Sequence, residues 1–435
     1  MSQEILLTVN NLKKYFAIGR SFRDIFYFKR SKKRTTTTIT SYSSSANTAY
    51  NDNNSSNRRY IKAVDDVSFK IEKGKALVLA GESGSGKTTV ARLILRAMDA
   101  DSGSIIFEGE DIVKISGNKL KKFRTNVQMI HQDPYTSLDP RMKIMDIVME
   151  PLSIHDKHSS KQERQDKVLR SLEDVRLEPA IEIAQKFPHM LSGGQRQRVA
   201  LARSLVLKPK LIVADEPVSM LDVSVRAEIL ELMRNLKDKF QISYLYITHD
   251  LSTSRYIGDN IAIIYSGKIV EMGPINQVLL KPLHPYTQAL IDAIPRPPGT
   301  SDALDNLENE RKKKMMFIRE EVLRRERREE EGVGQQQQQE EEEEEQEEGE
   351  IKKKITTITT SKKIKTTTTV LTKSIAGADD SSSNTSISNR INSGNGCRFY
   401  QRCPYSMDVC RRDDPILKEE EREHYVSCFI YKQIN

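Results

Sequence analysis

The stretch GESGSGKT, residues 81 to 88, places glycines, a lysine and a threonine at the spacing G-x-x-x-x-G-K-[ST]. In such a loop the backbone N–H groups surround phosphate oxygens, the lysine reaches the β and γ oxygens, and the threonine ligates Mg²⁺. The alternative to a phosphate site is a flexible turn before a helix. The apolar run ALVLA before the loop predicts a strand there and favours the phosphate site. The expected phosphate-binding residues are Gly81, Ser83, Gly84, Gly86, Lys87, Thr88 and Thr89.

A pair of adjacent carboxylates, Asp215 and Glu216, ends the apolar run LIVA in the stretch LIVADEP. Ligands bind at the carboxyl ends of parallel strands in α/β proteins. We expect Asp215 to hold Mg²⁺ and Glu216 to orient or deprotonate an attacking water. An acidic pair after a strand is more often a helix cap, but the phosphate loop favours the catalytic interpretation.

The stretch LSGGQRQRVA, residues 191 to 200, combines a helix start with two glycines. Ser192 followed by Gln195 predicts a capping box. Gly193 and Gly194 then fall in the first turn, where each glycine weakens a helix by roughly 1 kcal/mol relative to alanine. We expect an anionic ligand to approach the bare backbone there, at the positive end of the helix dipole.

These chemical residues need a scaffold, and the apolar pattern predicts one. From Ile61 to about Pro298, short apolar runs (ALVLA, SIIF, NVQMI, LIVA, YLYIT, IAIIY) alternate with helical stretches. The alternation predicts an α/β fold with a largely parallel sheet. Residues 31–59 are polar and predict a low-complexity insertion, and residues 299–395, which include a Gln/Glu tract, predict a solvated linker.

Composition limits the classes of function. Of the 435 residues, 30% are charged and 6% aromatic, so we expect part of the chain not to fold. The formal charge of +8 is dispersed, which argues against direct nucleic-acid binding. No secretory leader is apparent, and the apolar runs are shorter than the roughly 20 residues that span a bilayer. We therefore expect a soluble chain that reaches the membrane through a partner.

Taken together, GESGSGKT, MIHQDP, LSGGQRQRVALAR, LIVADEP, SMLD and YITHD resemble the motifs of the ATP-binding subunit of an ABC transporter. The resemblance covers residues 4–298, interrupted by the insertion. It implies a P-loop NTPase core with an N-terminal antiparallel β subdomain and a helical subdomain at about 133–205. In this family two nucleotide-binding domains enclose ATP head to tail. Ser192, Gly193 and Gly194 would contact the γ-phosphate held by the other domain.

The resemblance also assigns roles to single residues. Gln132 would sense Mg²⁺ and the attacking water, although a lone Gln after a strand is usually a turn residue. His249 would contact the γ-phosphate, although a His at a strand end is commonly structural. Asp222 would link the two ATP sites across the dimer. An aromatic residue near the N-terminus should stack on adenine, and we choose Phe16 over Tyr15; either could be core instead.

The stretch HPYTQALIDAIPRPP resembles the ATPase subunits of oligopeptide and dipeptide importers, a family that includes nickel importers. This resemblance implies a second ATPase subunit, identical or related, and two transmembrane permease subunits at the cytoplasmic face of the cell membrane. An extracytoplasmic substrate-binding protein would take part indirectly. The alternative is a soluble ABC ATPase of translation or DNA repair. Such proteins generally carry two ATP domains or a long coiled-coil insertion, and this sequence shows neither.

Four cysteines fall in the last segment, 396–435, at the spacing C-x5-C-x6-C-x17-C: Cys397, Cys403, Cys410 and Cys428. Their clustering predicts one shared site in a small C-terminal extension that folds apart from the ATPase core. Zinc sites usually show closer pairs. The segment GCRFYQRCPYSMDVCRRDDP resembles the C-terminal extension of the peptide-importer ATPases, where such cysteines can hold a [4Fe–4S] cluster. We expect that cluster, with Zn²⁺ or unligated thiols as alternatives.

Overall fold

We describe the fold from a computed structural model that covers residues 4–17, 60–156, 158–294, 313, 315–324 and 396–431. The predicted insertion at 31–59 and most of the predicted linker at 299–395 lie outside the described residues.

The secondary structure alternates strands and helices along most of the described chain. The strands are β1 Ile5–Ala17, β2 Tyr60–Glu72, β3 Ala76–Ala80, β4 Ser102–Phe107, β5 Glu110–Asp111, β6 Val127–Ile130, β7 Leu211–Asp215, β8 Ser243–Thr248, β9 Asn260–Tyr265, β10 Lys268–Pro274, β11 Lys418–Glu421 and β12 His424–Val426.

The α-helices are α1 Lys87–Ile94, α2 Gly117–Asn126, α3 Pro134–Ser137, α4 Ile144–His155, α5 Lys161–Asp174, α6 Ala180–Gln185, α7 Gly193–Leu205, α8 Val223–Phe240, α9 Leu251–Ser254, α10 Ile275–Leu280, α11 Pro285–Asp292, α12 315–324 and α13 Asp408–Arg412. Short 3₁₀ turns occur at Pro188–Met190, Tyr400–Arg402 and Phe429–Tyr431. Among the described residues, no helix has the length and apolar composition needed to cross a membrane.

The larger sheet has the strand order β11-β12-β10-β9-β3-β8-β7-β6. Its centre is parallel, since β3 pairs with β8 and β9, and β7 pairs with β6 and β8. Every residue of β3, β7 and β8 is buried, as expected for strands covered on both faces. The predicted α/β core is therefore confirmed, and the carboxyl ends of β3, β7 and β8 meet at one edge.

The smaller sheet is antiparallel, with the order β2-β1-β4-β5. Strand β1 buries Leu7, Val9 and Leu12 against the core and pairs with both β2 and β4. The expected antiparallel subdomain is thus present. The apolar run SIIF, which we grouped with the parallel strands, forms β4 of this smaller sheet instead, because it pairs with β1.

Helices α3 to α7 lie between β6 and β7 in the chain and share one apolar core. Val168 of α5, Ile147 of α4 and Val199 of α7 are buried in it. Helix α5 begins with a capping box, in which Ser160 and Glu163 satisfy each other's backbone N–H groups. The span of these helices coincides with the region that the resemblance assigns to a helical subdomain.

The C-terminal segment does not fold apart from the core. Strand β12 pairs with β10, with Glu271 opposite Val426, and β11 continues the sheet beyond β12. The described residues of 396–403 and 410–428 belong to the same compact unit as residues 4–294. An extension that folds apart from the core is therefore not supported for residues 410–428, because backbone pairing adds β11 and β12 to the larger sheet.

The second compact unit includes the described residues 313, 315–324, 404–409 and 429–431. Within it, helix α12 buries Met315 and Val322. The hydroxyl of Tyr431 lies 3.3 Å from the Met315 sulfur.

Candidate functional site

The phosphate loop joins the end of β3 to the start of α1, and its glycines are required by its backbone. Gly86, the residue before α1, has a φ of 113°, and a Cβ there would lie 2.2 Å from the carbonyl oxygen of Ala63. At Gly81 a Cβ would lie 2.2 Å from the carbonyl oxygen of Ile264. Neither position could hold a side chain, so the loop brings bare backbone to the cavity it encloses.

Lys87 is the first residue of α1, and its side chain folds back over the loop. Its ammonium donates hydrogen bonds to the carbonyl oxygens of Gly81, at 2.7 Å, and Glu82, at 2.9 Å. Burial lowers the pKa of Lys87, while the carboxylates of Glu216 and Asp215 act in the opposite direction. The ammonium is thus held at the phosphate loop by two carbonyl oxygens, which a bound phosphate group could replace.

A cavity of about 290 Å³ opens at this loop. The predicted residues that line it are Ser83, Gly84, Gly86, Lys87, Thr88, Thr89, Gln132 and Glu216. The sequence did not indicate the rest of the wall, which consists of Ile61, Lys62, Ala63, Ser85, Ser266 and Gly267. The Ser-Gly turn between β9 and β10 was the available signal, because Gly267 has a φ of 86° and lies against the backbone of β2.

Asp215 ends β7 beside the phosphate loop. The Thr88 hydroxyl lies 3.4 Å from its carboxylate, and burial raises the pKa of Asp215. Two oxygen donors, one of them a buried acid, fit Mg²⁺, which uses one or two carboxylates together with substrate phosphates. In the described part of the chain, no group of three or more His, Cys, Asp or Glu residues could hold a metal by itself.

Glu216 brings the predicted catalytic residues together. The Gln132 amide donates to its Oε2 at 3.0 Å, and His249 Nδ1 lies 2.9 Å from its Oε1. The backbone of Glu216 has a φ of 48° and its N–H donates to Ile247 at the end of β8. Strands β6, β7 and β8 thus bring an amide, a carboxylate and an imidazole together: Gln132 and Glu216 line the cavity, and His249 lies beside Glu216.

The stretch LSGGQRQRVA begins α7 as predicted. Ser192 is the N-cap, and its hydroxyl accepts a hydrogen bond from the Gln195 N–H at 3.2 Å. The side-chain oxygen of Gln195 in turn accepts from the Ser192 N–H at 3.1 Å. The structure adds a packing reason for one glycine, since a Cβ on Gly194 would lie 2.6 Å from Val225 Cγ1 of α8. Gly193 has room for a methyl group, with Leu221 at 3.5 Å. Ser192 and the two glycines are not part of the lining described for the cavity.

Phe16 and Tyr15 lie near the end of β1, outside the cavity lining. Tyr15 donates its hydroxyl to Asp65 at 2.5 Å, so it has a structural partner. Phe16 is half-buried and pairs with Ile61, which does line the cavity. Asp222 is exposed and immediately precedes α8. The adenine role of Phe16 and the linking role of Asp222 stay predictions.

The HPYTQAL stretch forms the start of α11 and reaches the phosphate loop. His284 is the N-cap, and its Nδ1 accepts from the N–H of Tyr286 at 3.0 Å. The buried hydroxyl of Tyr286 accepts from the N–H of Glu82 at 2.8 Å. The HPYTQAL stretch therefore also contacts the phosphate loop, through the hydrogen bond between Tyr286 and Glu82.

The cysteines are partly brought together. The N–H of Cys397 donates to the carbonyl of Cys410 at 2.8 Å, and burial, with smaller effects from Cys410 and Cys403, raises the pKa of Cys397 to about 12. Within the described residues the four cysteines do not form a set of metal ligands. The expected cluster is thus unsupported; Cys397 and Cys403 pack against the apolar core, and Cys410 is buried.

The family model for ABC transporters matches residues 64–219. The model for the C-terminal region of oligopeptide/dipeptide transporters matches residues 270–317 and 367–410. The oligopeptide transport ATP-binding protein OppF of Bacillus subtilis is 48% identical over 241 residues, which are 55% of this chain and 78% of that protein. AppF of the same organism is 34% identical over 372 residues, 85% of this chain and 90% of AppF.

The dipeptide transport ATP-binding protein DppF of Lactococcus lactis is 45% identical over 243 residues, which cover 55% of this chain and 77% of that protein. The phosphate loop, the acidic pair and the two-sheet fold therefore define an ABC-type ATPase. The chain belongs to the oligopeptide and dipeptide transport ATP-binding proteins of ABC transporters. The two resemblances found in the sequence, to the ATP-binding subunits of ABC transporters and to the ATPases of peptide importers, are confirmed.

Proposed function

We propose that this chain hydrolyses ATP to power the import of oligopeptides or dipeptides through a membrane permease. The observation that carries the proposal is the contact of Glu216 with both Gln132 and His249 at the rim of the phosphate-loop cavity. The peptide part is supported by the transport names of the relatives and by the match to the C-terminal region of peptide transporters.

ATP would bind with its phosphates in the loop. The N–H groups around Gly84 and Gly86 would surround the phosphate oxygens, and Lys87 would exchange its bonds to loop carbonyls for bonds to the β and γ oxygens. The start of α1 adds the positive end of a helix dipole. Mg²⁺ would be held by Thr88, Asp215 and Gln132, and when bound it neutralises charge on the phosphates.

Glu216 would act as the general base. Its carboxylate lies at the cavity rim, where it would take a proton from the water that attacks the γ-phosphate. Gln132 and His249 contact one carboxylate oxygen each, so both would hold the base in place, and His249 would reach the γ-phosphate. Because the carboxylate of Glu216 is held in one orientation, it would meet the attacking water in a geometry that speeds an otherwise slow hydrolysis.

A second ATPase subunit, identical or related, would complete each site. Ser192, Gly193 and Gly194 would face the γ-phosphate held by that subunit, and Asp222 would link the two sites. We test this with Ser192→Arg, which should impair hydrolysis at the partner's site while this chain still binds ATP. Loss of ATP binding at its own loop, with an active partner site, would contradict the arrangement across the dimer.

Two transmembrane permease subunits would be driven by this dimer from the cytoplasmic face of the membrane, with an extracytoplasmic substrate-binding protein delivering the peptide. The helices α3 to α7 are the expected docking region, because they follow Gln132 directly in the chain. ATP binding would close the dimer and move the permease, and hydrolysis would reopen it.

The experiment is transport by the reconstituted complex. The chain is co-purified with its neighbours, which are identified by mass spectrometry, and uptake of labelled peptide into vesicles is compared with uptake of nickel. We expect ATP-dependent peptide uptake that Glu216→Gln abolishes. Nickel uptake alone would favour the nickel importer, and an active ATPase that co-purifies with no permease would favour a soluble ABC ATPase.

The metal at the cysteines stays a prediction. If Cys397, Cys403, Cys410 and Cys428 hold a [4Fe–4S] cluster, anaerobically purified protein should be brown, absorb near roughly 400 nm and contain about four irons per chain. Colourless protein with one tightly bound Zn²⁺ would support zinc. Metal-free protein, made anaerobically with both metals supplied, would leave four packed thiols as the answer.

A further inference from the structure

The segment between Cys397 and Cys403 lies against the phosphate loop. Its last arginine, Arg402, forms a two-point ion pair with Glu82, the second residue of the GESGSGKT stretch. Nη1 lies 3.0 Å from Oε2 and Nη2 lies 2.9 Å from Oε1 of the carboxylate. Paired parallel hydrogen bonds of this kind fix direction as well as distance.

The guanidinium is itself held in place. Its central carbon lies 5.8 Å from the ring centroid of Tyr265 and 5.7 Å from that of Phe399. Phe399 packs edge-on against Tyr265, with the ring centroids 5.3 Å apart. Contact with two rings restricts an otherwise flexible arginine, so less entropy is lost when the ion pair forms.

Glu82 connects this contact to the phosphate site. Its N–H donates to the Tyr286 hydroxyl, its carbonyl accepts from Lys87, and its carboxylate is held by Arg402. The following residues alternate serine with glycine and have little side chain with which to fix the loop. The orientation of Glu82 therefore affects the position of the lysine ammonium and of the loop N–H groups.

The other end of the segment contacts a residue of the cavity wall. Arg398 donates to the carbonyl of Ser266, a lining residue, and pairs with the buried Asp65. Asp65 also accepts from the Tyr15 hydroxyl. Because Arg398 and Arg402 are only four positions apart, one short segment is anchored both to the cavity wall at Ser266 and to the phosphate loop at Glu82.

We propose that Arg402 is a positioning residue for ATP binding, which acts through Glu82 on the phosphate loop. The proposal rests on ATP binding at this loop and is independent of the imported solute. Arg402 and Glu82 are about half exposed, so replacing them should leave the fold intact. Arg398 is a poorer test, because its loss would leave a buried carboxylate with too few partners.

The test is a double-mutant cycle on the full-length chain, purified together with its partner ATPase subunit, with Arg402→Ala, Glu82→Ala and the double variant. The readouts are the Kd of a fluorescent ATP analogue, and KM and kcat for ATP. We expect Arg402→Ala to raise Kd and KM by about fivefold with kcat within about twofold, since the pair aids binding rather than the chemical step. Glu82→Ala should act alike, and the double variant should be no worse than either single variant.

Two further variants separate positioning from charge and from folding. Arg402→Lys keeps the charge but loses the two-point geometry, so it should recover only part of the affinity. Arg422→Ala removes the same charge from the exposed turn between β11 and β12 and should leave Kd unchanged. Melting temperatures within about 2 °C of the wild type would show that the fold is kept.

An unchanged Kd in Arg402→Ala, or effects of Arg402→Ala and Glu82→Ala that simply add, would overturn the proposal. A fall in kcat alone would overturn it as well, because the residue would then act on the chemical step. A wild-type complex of both ATPase subunits that binds the nucleotide analogue but does not turn over ATP would contradict the proposed function, while the Kd values would still decide the role of Arg402.

Discussion

Two glutamate–histidine pairs lie at different places in the larger sheet. At the carboxyl ends of β7 and β8, Glu216 Oε1 lies 2.9 Å from His249 Nδ1, and the histidine side chain is 53% exposed. On β10, Glu271 Oε1 lies 2.7 Å from His424 Nε2, and both side chains are fully buried. The same two residue types at nearly the same separation occupy opposite environments.

Their neighbours differ as much as their burial. Glu271 also accepts from the backbone N–H groups of Leu283 and His284, so its carboxylate is saturated by protein donors and ties the HPYTQAL stretch to β12. Glu216 faces a cavity and has an amide and an imidazole as its side-chain partners. A pair that can exchange partners is suited to catalysis, and one that cannot is suited to holding the fold.

The largest expected effect is that of Glu216→Gln on turnover. The amide keeps the size of the side chain but cannot accept a proton, so kcat should fall by about a thousandfold, roughly 4 kcal/mol. The ATP affinity should stay near that of the wild type, because Lys87 and the loop are unchanged. Steady-state ATPase assays with a nucleotide-binding measurement check this. Near-normal hydrolysis would show that another group is the base.

The next largest effect is that of His424→Ala on stability. It leaves the carboxylate of Glu271 buried with backbone donors alone, which should cost about 3 kcal/mol of unfolding free energy. Chemical denaturation followed by fluorescence or circular dichroism checks this. The matched variant His424→Gln can still donate a hydrogen bond and should lose less. Equal losses in the two variants would mean that packing, not the bond to Glu271, is what matters.

A smaller effect should come from acid. Burial lowers the pKa of His284 from 6.5 to about 3, so the unfolded chain binds a proton below about pH 6.5 that the folded chain does not. Stability should therefore fall as pH falls, by about 2 kcal/mol at pH 5. His284→Asn keeps an acceptor for the N–H of Tyr286 without titrating in this range, and its melting temperature should depend less on pH. Parallel pH profiles would refute this assignment.

The smallest effect concerns the first turn of α7. Gly194→Ala forces a methyl group against Val225 and should cost about 1 kcal/mol, despite the higher helix propensity of alanine. Gly193→Ala has room and should be neutral or stabilising. Thermal melting compares the two. If Gly194→Ala is as stable as Gly193→Ala, packing does not explain the glycine, and the proposed contact with nucleotide held by the partner subunit is the explanation that remains.

Local patterns made the phosphate loop, the buried strands and the capping box at Ser192 predictable. Each depends on residues close in the chain, such as Ser192 and Gln195. The wall formed by Ser266 and the pair Glu271–His424 were not predictable in this way. Glu271 and His424 are 153 positions apart and meet only because β12 pairs with β10. No periodicity in the sequence encodes that pairing.

The cysteine segment also depends on contacts between residues that are far apart in the chain. The clustering of the four cysteines predicted one shared site in an extension, whereas in the structure the arginines between the first two cysteines contact the phosphate loop at Glu82 and the cavity wall at Ser266. Those contacts depend on Glu82 and Asp65, more than 300 positions earlier in the chain. The sequence motif was informative about where the chemistry lies but not about what holds it.

One measurement tests most directly whether the exposed glutamate acts in catalysis and the buried one in folding. Glu216→Gln and Glu271→Gln are prepared side by side, and kcat for ATP and the melting temperature are measured for each. We predict that Glu216→Gln loses nearly all turnover and keeps its melting temperature, and that Glu271→Gln melts several degrees lower but keeps most of its turnover while folded. Full activity in Glu216→Gln, or loss of turnover in a stable Glu271→Gln, would contradict the account.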